Sequence, residues 1–95
     1  MLTHVVCFKF PDLDLARDAG ERLRAMEGRI PSLLGIEVGV DVTRSGRSYD
    51  LALITRHADA AGLGAYQVHP VHEAVAQFIR GASTGSVAVD FIAAE

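Results

Sequence analysis

The sequence predicts an α+β fold in which four strands form one antiparallel sheet and helices cover one of its faces. Three observations carry that expectation. Four short runs alternate in side-chain polarity at the period of two that a strand requires. Two longer stretches repeat apolar residues at helical spacing. The order is βαββαβ, and right-handed crossovers close that order into a single sheet with the helices on one side, the ferredoxin-like arrangement.

Thr3 to Phe10 reads as the first strand, with His4, Val6, Phe8 and Phe10 on one face and Val5, Cys7 and Lys9 on the other. Pro11 stops it, and Asp12 or Asp14 can cap the helix that follows. Ala16, Ala19, Leu23 and Met26 give that helix its apolar stripe, which should run to about Glu27 before Gly28 ends it. Ile30 to Leu34 is a short apolar connector. Ile36, Val38, Val40 and Val42 then alternate with Glu37, Gly39 and Asp41 as a second strand. Arg44 to Ser48 is a turn, and Tyr49 to Arg56 a third strand, so the two form a hairpin. His57, just past that strand and beside Asp59, is expected to be a solvated loop residue.

Asp59 opens a second helical region, in which Leu63 and Tyr66 share a face. It breaks at His69-Pro70, because a residue before proline is pushed out of helical geometry. Pro70 suits a first helical position, and Val71, Ala74, Val75, Phe78 and Ile79 supply the next stripe. Gly81 to Gly85 is a loop, and Ser86 to Ile92 is the last strand.

The 95 residues make one small domain, spanning 1–95, and 49% of them are hydrophobic. A chain of this size buries only about 60–65% of its unfolded surface. Strands one, three and four are apolar on both faces, yet helices can cover only one. The other face needs a second layer. Pairing with the sheet of another copy supplies it, which predicts a homodimer closed as an α/β barrel.

Nine basic residues are scattered among twelve acidic ones, for a formal charge of −3. That balance argues against nucleic acid as a partner. The single cysteine, Cys7, forbids an intrachain disulfide and reads as a buried strand residue. With no stretch long enough to span a bilayer and no leader pattern, the expectation is a cytoplasmic protein that does not bind membranes.

The segment Ala65-Tyr66-Gln67-Val68-His69-Pro70-Val71-His72 places a phenol and two imidazoles within seven residues. Imidazole titrates nearest neutrality, so it exchanges protons with little tuning. Each of these residues has a structural reading and a functional one. Tyr66 is a core aromatic with a satisfied hydroxyl, or a proton donor. His69 bonds backbone at a helix start, or lines a pocket. His72 lines a pocket, acts as a base, or packs in the core or an interface. His4 is a satisfied core histidine or a pocket residue. Asp90 or Glu73 could orient an imidazole. His69 and His72 lack an evident third ligand for a metal, and Gly62 and Gly64 lack the context of a phosphate loop.

Five pieces in order resemble the stress-responsive α/β-barrel family, known as Dabb. They are His4-Val5-Val6 with Phe8-Lys9-Phe10; Ile30-Pro31 through Gly35-Ile36 and Val38-Gly39; Ser48 to Leu53; Tyr66 to His72; and Val89-Asp90-Phe91. The resemblance implies a ferredoxin-like subunit and a barrel-forming dimer. Many members have no assigned reaction. One plant member is a polyketide cyclase that closes a poly-β-keto chain by aldol condensation without a metal or organic cofactor. Its catalytic tyrosine and histidine correspond to Tyr66 and His72, and its first-strand histidine to His4. The aromatic residue expected in its first helix has no counterpart between Asp12 and Met26.

Three functions follow as expectations. The first is a dimeric domain without an assigned reaction that binds a small apolar or keto-acid ligand between sheet and helices. The alternative is a cofactor-independent cyclase or lyase in which His72 removes a proton α to a carbonyl and Tyr66 donates to the oxyanion. A cofactor-free monooxygenase or isomerase is a third, resting on fold analogy alone.

Overall fold

Alternation in the first run builds the centre of the sheet. In the computed structural model, which describes residues 1–94, β1 (Leu2–Lys9) lies between β3 (Leu51–His57) and β4 (Gly85–Ile92), and β2 (Gly35–Val40) forms the far edge. All three pairings are antiparallel, in the order β2-β3-β1-β4. α1 (Leu13–Arg24) forms the first crossover. The second contains two helices, α2 (Ala60–Gln67) and α3 (Pro70–Ala82). The break at His69-Pro70 thus separates two helices, giving β-α-β-β-α-α-β.

Asp12 is the cap of α1, accepting from the Leu15 N–H at 2.9 Å. The helix buries Ala16, Ala19, Gly20 and Leu23 against the sheet. Gly20 sits where the helix comes closest: a Cβ there would stand 3.3 Å from Leu51 Cδ1 and 3.5 Å from Val38 Cγ1. The helix ends at Arg24, a turn earlier than its stripe implies. Met26 and Glu27 donate to the carbonyls three residues back, at 3.1 Å each, tightening the chain toward Gly28, whose φ is 77°. Such tightening satisfies carbonyls that a helix terminus leaves open.

The β2–β3 hairpin is shorter than the alternation implies. β2 stops at Val40, and Val42 is left 92% exposed. The Asp41 carboxylate turns back to accept from the Arg44 N–H at 2.7 Å and from its guanidinium at 3.1 Å. These bonds hold Arg44 at φ 53°, in the left-handed region. Asp50 ties the turn to the sheet. Its carboxylate accepts from the Phe10 N–H and from Arg44, both at 2.7 Å. Both bonds favour the charged form and hold its pKa below the ordinary carboxylate value, the Phe10 bond contributing most.

Under the helices, Leu2, His4, Val6 and Phe8 of β1 share a face with Leu51, Leu53, Thr55 and His57 of β3, as the register requires. The opposite face carries Val5 and Cys7 of β1, Ala52 and Ile54 of β3, and Val87, Val89 and Phe91 of β4. Val87, Val89 and Phe91 are large, apolar and exposed. No helix of the described residues is long and apolar enough to cross a membrane.

Candidate functional site

The period of two in β3 continues one step past the expected end of the strand. His57 pairs with Leu2, points under the helices and is fully buried. The solvated-loop expectation for His57 is therefore corrected. Arg56 looks outward and ends the apolar sequence signal, but the strand runs on. The His57 Nδ1–H donates to the Ser32 carbonyl at 2.7 Å, and Nε2 shares a hydrogen bond with the Thr55 hydroxyl at 2.9 Å. Both ring nitrogens are thus satisfied without a charged partner.

Tyr66 gathers the histidines. Its ring is fully buried, with centroids 4.5 Å from His72, 4.9 Å from His57 and 6.4 Å from His4. The hydroxyl is buried with no hydrogen-bond partner among the described residues. The core position anticipated for Tyr66 is present, but the satisfied hydroxyl is not. Burial pushes its pKa up to about 12, so the phenol keeps its proton at neutral pH.

His72 is half-buried on the first turn of α3. Its Nδ1–H donates to the Gln67 carbonyl at 2.9 Å, across the helix break. In the neutral ring that bond leaves the lone pair on Nε2. Burial lowers its pKa, against smaller opposing effects of the Gln67 bond and Glu73. A base that is neutral near pH 7 with one free nitrogen is what proton abstraction requires.

His4 is buried on β1 and donates from Nδ1 to the Asp90 carboxylate, its Cα partner on β4. Of the two carboxylates considered, Asp90 makes this bond. His69 is the cap of α3: its Nδ1 accepts from the Val71 N–H at 3.1 Å, in extended backbone geometry. It does not line the cavity described next.

Between α3 and the sheet lies a cavity of about 200 Å³. Val6, Phe8, Leu53 and Ile79 supply apolar walls, and His4, His72 and Arg80 supply the polar groups. Tyr66 stands behind it, packed on two of the histidines that face it. A larger hollow of about 400 Å³ lies on the open side of the sheet around Cys7, Gly39, Ala52 and Tyr49. No histidine lines it; the two imidazoles that face a cavity, His4 and His72, both belong to the smaller one.

The sequence profile of the family described as "Stress responsive A/B Barrel Domain" matches residues 2–93. The chain belongs to this family. Its fold recurs in solved structures. A dimeric protein of unknown function with a ferredoxin-like fold, from Bacteroides fragilis, is 24% identical, with a TM-score of 0.84 over 95% of this chain and 93% of that one. A dimeric ferredoxin-like protein of unknown function from Thermobifida fusca is 28% identical, with a TM-score of 0.83 over 95% and 88%. The hydroxynitrile lyase from Passiflora edulis is 13% identical, with a TM-score of 0.84 over 99% and 94%. No curated protein matches the chain.

Proposed function

We propose that this stress-responsive barrel domain works as a homodimer joined through its open sheet face, and binds a small apolar carbonyl compound between sheet and helices. The observation that carries the binding reading is the cavity itself: apolar walls with a few convergent polar groups are the usual make-up of a small-molecule site. The dimer is supported by the exposed Val87, Val89 and Phe91 and by relatives of this fold that are described as dimeric.

A second reading is favoured by one specific feature, the His72 ring held by Gln67 with Nε2 unshared. In this reading the bound compound undergoes a cofactor-independent lyase or aldol-type step. His72 takes a proton α to a carbonyl, the electron pair moves toward the carbonyl oxygen, and the Tyr66 hydroxyl donates to the oxyanion. The Tyr66 hydroxyl has no partner of its own, and because it stands behind the cavity wall its donation requires that wall to shift when ligand binds. The lyase of the same fold from Passiflora edulis supports testing this chain for such chemistry.

The test is a thermal-shift screen with aromatic and β-keto acids and their neutral analogues, followed by turnover assays on the binders. Ligands of the folded state raise the melting temperature. A flat screen across all compounds overturns the binding reading. For the second reading, His72→Ala is expected to bind ligand and lose turnover. Unchanged turnover overturns the role of His72 as base.

A further inference from the structure

We propose that the ligand is a carboxylate, and that Arg80 receives its acid group at the cavity mouth; this rests on the binding reading above. The argument begins with helix geometry. His72, Ala76 and Arg80 are spaced four apart on α3 and all line the cavity, so they form one stripe down a single helix face. Eight residues of helix span roughly 12 Å. An imidazole therefore stands at one end of this wall and a guanidinium at the other, with apolar surface between them.

Charge pairing and position together distinguish Arg80. Arg17, Arg22, Arg44 and Arg56 each pair with a carboxylate. Arg80, like Arg24, Arg29 and Arg47, has no ion-pair partner among the described residues, and of these four it alone lines the cavity. The Asp90 carboxylate on β4 is engaged by His4, which shares the cavity wall with Arg80. Arg80 also lies in the last turn of α3, where a cation complements the helix dipole. That role accounts for a basic residue in the turn but not for its place on the cavity wall.

A planar guanidinium is the side chain best matched to a carboxylate, through two parallel N–H donors. The ligand class that fits is a small monocarboxylate with an apolar body. Its acid group meets Arg80 and its body lies along Ala76 toward His72. A carbonyl placed toward His72 would make it a keto acid.

The experiment compares 3-phenylpropanoate with its methyl ester, by calorimetric titration into the intact protein and into Arg80→Gln and Arg80→Lys. The wild type is expected to bind the acid about tenfold more tightly than the ester, the size of one charge-assisted contact at a partly open rim. Arg80→Gln should erase that preference without weakening ester binding, and Arg80→Lys should keep most of it. A purely structural Arg80 would change the affinities for acid and ester together. Equal binding of both by the wild type, or a preference that survives in Arg80→Gln, overturns the acid-receiving role and leaves the cavity as a neutral-ligand site. Failure of both probes to bind overturns the binding reading and this inference together.

Discussion

Tyr66 and His72 meet ring to ring, with 4.5 Å between centroids, across a junction that belongs to no single helix. Tyr66 ends one helical stripe and His72 begins the next. His69 caps the second helix while the Gln67 carbonyl takes the His72 Nδ1–H, so the break itself is organised by two imidazoles. The break removes helical continuity and supplies, in its place, an exposed carbonyl that fixes a tautomer.

The orphaned Tyr66 hydroxyl makes a prediction about stability. A buried donor without a partner carries a desolvation cost of about 1–3 kcal/mol. Tyr66→Phe keeps the ring contacts and removes that cost. Urea unfolding should show the variant equal to the wild type or more stable by about 1 kcal/mol. Were proton donation its role, the same variant would lose turnover while gaining stability. A clear loss of stability would reveal a partner for the hydroxyl.

His72 predicts a pH dependence of known sign. Its folded pKa lies below the ordinary 6.5, because burial disfavours the imidazolium. Above 6.5 the ring is neutral whether the chain is folded or not, and the folded state has its full stability. As pH falls below 6.5 the unfolded chain takes up the proton first, so stability declines until the folded ring is protonated as well. Urea midpoints measured from pH 8 to pH 5 should fall for the wild type, and fall less for His72→Gln. An NMR titration of His72 with a midpoint above 6.5 would contradict this.

Asp50 predicts a second dependence, at lower pH. Its carboxylate holds the Phe10 N–H and Arg44 together, joining the end of β1 to the β2–β3 turn. The folded pKa is lowered, so the stabilisation is complete above the ordinary carboxylate value of 3.8 and is lost as pH falls through the folded value. Asp50→Asn removes the charge and weakens both bonds, for an expected loss of about 1–3 kcal/mol at pH 7 in urea unfolding. The difference between variant and wild type should shrink below pH 3.8, where the wild-type carboxyl is also becoming neutral.

The fold was legible because alternation survives translation into a sheet: Val6, Leu53 and Val38 stand in one row beneath the helices, each on the face its own strand pattern assigns. Less of the site could be read. The sequence offers Asp90 and Glu73 equally as partners for an imidazole, and only strand register sets Asp90 opposite His4. His57 was hidden because outward Arg56 and the polar Asp59 read as the start of a loop. Its signal was present in the continued period of Leu51, Leu53 and Thr55. The meeting of Tyr66 with His72 had no periodic signal at all, since it depends on the angle between two short helices.

The open face supplies the last prediction. Val89, Val5 and Ile54 lie side by side across β4, β1 and β3, forming an apolar row that no helix covers. Val89 is 63% exposed and Phe91, two residues on, is 45% exposed. Contiguous apolar surface of this kind marks an interaction site on a folded protein. Scattered single residues would carry no such meaning; the row runs across three paired strands. In the proposed dimer Val89 faces the partner sheet, where a charge would be buried without a counter-ion. Val89→Glu should therefore sediment as a single chain at micromolar concentration while the wild type sediments as two. A surface valine of a true monomer would tolerate the same change, since exposed substitutions away from contacts move stability by only about 0.5 kcal/mol. Equal sedimentation of both proteins as single chains would overturn the homodimer.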